Sequence, residues 1–143
     1  MPLQIPTAQF PKPEIVGERA WGQESLLALS KGNFTLKKLF IKAGSKGGLQ
    51  YHRKKDECGY VISGRMIIRF DDGSGVLTEK EVGPGDVFHF PALAIHQEEA
   101  IEDTVIIEAS TPFLNDRVRV EEQYGLTSNE GLPTTSEEEI IYL

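Results

Sequence analysis

The sequence predicts an all-β domain, a small antiparallel jelly roll with an extended N-terminal arm and a short C-terminal extension. Three observations carry this. From about residue 34 to residue 107 the chain alternates short apolar runs with turn residues, the pattern of many short strands. No stretch there sustains a helical period, and nearly every junction holds a glycine or a proline, as tight connections between neighbouring strands require.

Taken in order, Pro2, Pro6, Pro11 and Pro13 make the first residues an extended arm, suited to lie over a neighbouring subunit or to remain free. Thr35 and Leu36 with Leu39, Phe40 and Ile41 form the first apolar run, which the Gly44 to Gly48 loop ends. Glu57 to Ser63 reads as a strand around Tyr60, Val61 and Ile62, and Gly64 and Arg65 connect it tightly to Met66 through Phe70. Asp71 to Gly75 is a hairpin loop by composition, so Val76 to Val82 returns as a partner strand. Gly83 to Asp86 forms the next turn, ahead of Val87 to Phe90, and β-branched Thr104 to Ile107 forms the last strong strand. The tail from Thr127 is polar and acidic until Ile140, Ile141, Tyr142 and Leu143, an apolar cluster expected to dock on its own domain or on a second subunit. The expected division is therefore an arm over 1–17, a domain over 18–126 and an extension over 127–143.

With 143 residues the chain has room for one domain and not for two. No apolar run approaches the roughly 20 residues that span a bilayer, and no apolar segment follows a basic start, so a soluble, cytoplasmic protein is expected. The lone cysteine, Cys58, is expected as a small buried side chain, since it has no partner for a disulfide. A net charge of −7 argues against binding nucleic acid, which needs clustered Lys and Arg. The basic residues are nonetheless concentrated between Lys37 and Lys55, which suits a small anionic ligand such as a sugar phosphate.

The chemistry-bearing residues fall in two stretches. Gln50, His52 and Glu57 stand in one, and Pro91 precedes His96 in the other. Imidazole nitrogen with carboxylate or amide oxygen is a ligand set for zinc, manganese or iron. The chain has three histidines, so two of them occupy these settings.

These residues sit in a longer pattern that resembles the cupins, and within them the cupin domain of type II mannose-6-phosphate isomerases. Glu18 to Gly22 is similar to the family's R-P-W-G opening, and Leu49 to Glu57 to its L-Q-x-H-x-H-R-x-E. Val61 to Gly64 follows V-V-S-G, and Gly85, Pro91 and His96 keep the spacing of the second cupin motif. Asp116 to Arg119 and Tyr124 with Gly125 resemble the closing D-I-V-R and Y-G, so the resemblance covers roughly residues 18–126.

The resemblance implies a double-stranded β-helix, the cupin jelly roll, holding one divalent metal ion (zinc, manganese or iron) on His52, Glu57 and His96. The family's remaining histidine falls at Lys54, whose ammonium cannot ligate. Three resolutions stand. Gln50 points to the same strand face as His52 and can supply an amide oxygen, as in the Q-x-H stretch of type I mannose-6-phosphate isomerases. Alternatively, three protein ligands with water suffice. Finally, the site lacks metal and Lys54 itself does chemistry. Leu93 also replaces a glycine of the second motif, and Ala100 an asparagine.

Together these features predict a metal-dependent isomerase or epimerase of a phosphorylated or nucleotide-linked sugar. Lys54 or His89 is the expected base, and Lys55, Arg53 or Lys38 the expected holder of the anionic group. Two other classes fit the same pattern: a cupin that binds a sugar or metabolite without turnover, and a metal-dependent oxygenase. The family implies a homodimer.

Overall fold

In the computed structural model, residues 4–127 and 131–143 are described. Two antiparallel sheets face each other. The first runs, in spatial order, β1 (Glu14–Arg19), β2 (Gly22–Ser30), β3 (Phe34–Ile41), β10 (Thr104–Ser110), β5 (Glu57–Ser63) and β8 (Val87–Phe90). The second runs β11 (Val118–Arg119), β4 (Gln50–Tyr51), β9 (His96–Ala100), β6 (Met66–Asp71) and β7 (Leu77–Val82). The all-β jelly roll expected from the sequence is the observed architecture.

Strand parity divides the interior into an apolar and a polar half. Ile41, Val61, Met66, Ile68, Val82, Phe88, Phe90, Ala100 and Ile106 close together as the core. At roughly 25 cal/mol per Å² of apolar area buried, this cluster is the main stabilising term of the fold. Further along the same inward rows stand Thr35 and Lys37 on β3, Glu57 on β5, and Glu108 and Ser110 on β10, all buried. Two-residue periodicity thus carries polar side chains inside on strands whose other half is core.

At the N-terminal end a strand forms that the sequence did not mark, and at the C-terminal end one of the two expected dockings is observed. Strand β1 starts at Glu14, inside the stretch assigned to the arm, and pairs with β2, whose Leu26 to Leu29 run has no alternation to mark it as a strand. A bulge between Leu26 and Ala28 in the pairing with β3 breaks that alternation. The C-terminal segment docks on its own domain: Gly32 N–H donates to the Leu143 carbonyl at 2.9 Å, Leu114 N–H to Ile141, and Leu143 N–H to Pro112. Tyr142 packs on Phe113.

Cys58 is exposed rather than buried. On β5 Glu57, Gly59 and Val61 face inward, so Cys58 between them is directed outward.

Candidate metal centre and its cavity

Three elements bring the candidate ligands together. His52 follows β4, Glu57 opens β5, and His96 opens β9, whose register sets it opposite Gln50 on β4 and Phe70 on β6. Phe90 stacks on the His96 ring at a centroid distance of 3.9 Å, and the two imidazoles lie 5.0 Å apart. The loop between β8 and β9 is tied to the other motif, because Leu93 N–H donates to the His52 carbonyl at 2.8 Å. Leu93 adopts φ 76°, the left-handed region in which glycine is favoured. The backbone shape associated with glycine at this place is therefore kept by a leucine.

Hydrogen bonding fixes which nitrogen faces the centre. His52 Nδ1–H donates to the Asp116 carbonyl at 2.5 Å, and His96 Nδ1–H to the Ala94 carbonyl at 2.9 Å. Each Nε2 lone pair then faces Glu57 Oε1, at 2.9 Å from His52 and 3.5 Å from His96. Two lone pairs and a carboxylate oxygen, all buried, repel one another unless a cation lies among them. Backbone-anchored imidazoles with free Nε2 atoms are also how metal-bound histidines are oriented. The donor set of His52, Glu57 and His96, with ligand atoms within 4.8 Å of one another, therefore fits a divalent metal.

Electrostatics agree with that reading. Burial pushes the Glu57 carboxyl upward, but Lys55, whose Nζ is 3.1 Å from Oε2, and the two imidazoles outweigh it and hold the group well below the usual carboxylate range. Burial lowers His96, whereas Glu57 outweighs this and raises it, so the same cluster attracts a proton where no metal compensates the carboxylate. Glu98 and Glu108 lie close by. Burial, reinforced by the charge of Glu57, pushes Glu98 up to about 7 and Glu108 well above the ordinary value.

All of these groups line one cavity of about 580 Å³ that also takes in Trp21, Glu24, Lys37, Gln50, Arg19 and Arg117. Its walls come from both sheets and from the docked C-terminal segment. Of the residues expected at the site, Gln50, His52, Lys55, Glu57 and His96 share this cavity.

Four do not line it. Lys54 is exposed in the turn after His52, where its backbone N–H donates to Asp116 Oδ2 at 2.7 Å, and it lies outside the cavity lining. His89 is 57% exposed on the outer face of β8 and bonds Asp56 at 2.7 Å, because Phe88 and Phe90 take the inward positions. Lys38 is exposed, since the inward parity of β3 belongs to Lys37. Arg53 turns away to the C-terminal segment, where Nη1 donates to the Thr135 carbonyl at 2.5 Å.

The residues that sequence reading passed over are Glu98, Glu108, Lys37, Glu24, Arg19 and Arg117. Glu98 had a usable signal, standing two residues after His96 and so on the same strand face. Glu108 and Lys37 had none without a known register; β10 sets them directly opposite each other.

Residues 39–109, about half of the chain, match the cupin domain family. No curated protein sequence matches the chain. Among solved structures, KdgF from Halomonas sp. superposes with a TM-score of 0.59 at 21% identity, over 70% of this chain and 86% of that one. An RmlC-like cupin from Shewanella frigidimarina gives 0.61 at 19%, over 73% and 90%. An oxalate decarboxylase variant from Bacillus subtilis gives 0.65 at 22%, covering 94% of this chain, which spans only 41% of that enzyme. At these identities the structural likenesses establish the fold. The chain carries a cupin domain.

Proposed function

We propose that this cupin is a metal-dependent isomerase or epimerase of a small anionic sugar, phosphorylated or nucleotide-linked. The observation that supports it most is the convergence of His52, Glu57 and His96 beside two further carboxyls, Glu98 and Glu108, in one cavity. The resemblance to the cupin domain of type II mannose-6-phosphate isomerases points the same way. Gln50, His52, Glu57 and His96 would hold the metal, which, when bound, supplies Lewis acidity toward a carbonyl or hydroxyl of the sugar.

The chain's own part is proton transfer and exclusion of water. Glu98 stands on the inward face of β9 two residues from His96, and a carboxyl pushed up to about 7 exchanges its proton near neutrality, as a general base and acid must. This role passes to Glu98 from Lys54 and His89. Glu108, pushed well above the ordinary value by burial and by the charge of Glu57, lies beside that carboxylate as a second acid.

Elemental analysis of the purified protein tests the centre. One divalent ion per chain is expected, with occupancy lost in His52→Ala and His96→Ala and reduced in Gln50→Ala. A native protein without metal, or unchanged occupancy in the histidine variants, would refute the ligand set. Proton NMR of aldose phosphates in deuterated buffer tests the reaction: deuterium is expected next to the carbonyl carbon with the native protein, and at about a hundredth of that rate or less with Glu98→Gln.

A further inference from the structure

We infer that Arg19 and Arg117 form an anion-holding subsite of the cavity, built to take the carboxylate or phosphate of the ligand. This rests on the cavity being the substrate site. Both residues line the cavity that contains His52, Glu57 and His96. Arg117 immediately follows Asp116, whose carbonyl accepts the His52 Nδ1–H, so the subsite is joined through one residue to the orientation of a metal ligand.

The case is one of charges left over. Lys37 Nζ is paired with Glu24 at 2.7 Å, and Lys55 with Glu57 at 3.1 Å. The carboxylate of Asp116 accepts three backbone N–H groups, from Arg53, Lys54 and Lys55. Among the described residues, then, neither Arg19 nor Arg117 has a carboxylate within ion-pair distance, and the Arg117 Nε is buried with no hydrogen-bond partner. Its Nη1 donates only to the Asn115 carbonyl, at 3.3 Å.

A buried N–H without an acceptor is costly, and a guanidinium has no neutral form to retreat to. Burial and the neighbouring Arg19 both weaken the hold of Arg117 on its charge, with Glu24 and Asp116 offsetting part of this. An oxyanion between the two forks removes the repulsion and satisfies Nε, and planar guanidinium groups bind carboxylate and phosphate with paired hydrogen bonds. Arg19 is placed for this by the edge strand β1, where it is exposed at the cavity mouth and its side chain lies over Gly17, the nearest contact being 3.3 Å from where a Cβ would stand. The anion-holding part expected of Lys38, Arg53 and Lys55 thus passes to Arg19 and Arg117.

The chain's one tryptophan, Trp21, lines the same cavity and reports on it. The full chain is titrated with inorganic phosphate, with gluconate and with neutral sorbitol, before and after treatment with a chelator, while Trp21 fluorescence is followed. Saturable binding of phosphate or gluconate but not sorbitol is expected, weakened about tenfold or more in Arg117→Gln and in Arg19→Gln and kept after chelation. The tighter of the two anions identifies the head group as phosphate or carboxylate. No saturation, native affinity retained in both variants, or binding lost on chelation with the variants unaffected would overturn the subsite. Arg19→Gln changes an exposed edge residue, so the comparison stands even where Arg117→Gln unfolds, as checked by circular dichroism. Anion binding in a protein that carries no metal would sink the isomerase reading and leave the subsite standing.

Discussion

Asp116 shows how one carboxylate prepares a site without entering it. Only 1% exposed, it accepts backbone N–H groups from Arg53, Lys54 and Lys55, while its carbonyl orients His52. Burial drives its carboxyl upward, but the N–H groups of Lys54, Lys55 and Arg53, with His52, outweigh this and hold it below the ordinary value. Its contribution to stability is therefore complete above the unfolded value of about 3.9 and disappears as pH falls through the lower folded value. Asp116→Ala should cost about 3 kcal/mol at neutral pH, and the gap from the native protein should close below about pH 4. Urea unfolding at pH 7 and pH 3 measures both. At this scale the motif residues His52, Glu57 and His96 were legible from their order and spacing. The partners that orient them were not, because the Asp116 and Ala94 carbonyls act through backbone atoms that any residue carries.

Among the elements, β5 and β3 decide which side chains are functional. Side chains alternate across a strand, so a one-residue error in parity exchanges inside for outside. That exchange separates Lys37 from Lys38 and reverses the expectations for Cys58 and His89. Gly59 shows how tightly the inward side of β5 is constrained, since a Cβ there would stand 2.1 Å from the Phe88 ring. Gly59→Ala should destabilise the fold by about 1 to 3 kcal/mol through overpacking, whereas Cys58→Ala on the outward side should stay within about 0.5 kcal/mol. Thermal unfolding of the two variants compares them. Strands β3, β5, β6, β7, β8 and β10 were legible as apolar runs between turn residues. Strands β2 and β11 were not, the first because a bulge breaks its alternation and the second because two residues carry no period.

For the whole molecule, the jelly roll encloses a polar half-interior in which Lys37 pairs with Glu24 and Lys55 with Glu57, while Arg19 and Arg117 line the same cavity without a carboxylate within ion-pair distance among the described residues. No helix among the described residues is long and apolar enough to cross a membrane. A metal on His52, Glu57 and His96 binds only the folded chain with this geometry, so it should stabilise the protein by about 2.7 kcal/mol at a free concentration a hundredfold above its dissociation constant. Melting curves with zinc, manganese and iron(II), and with a chelator, should show a rise for the metal that fits and no rise in His96→Ala. The sequence by itself determined the fold class, the cupin pattern and the grouping of His52, Glu57 and His96, because strand propensity, turn chemistry and motif spacing are local properties. Only the tertiary structure decided which charges share the cavity. Lys37, Glu98, Glu108, Arg19 and Arg117 come from five separate segments, and their inward placement follows from the register between strands and the docking of loops, both of which are fixed by packing across the two sheets.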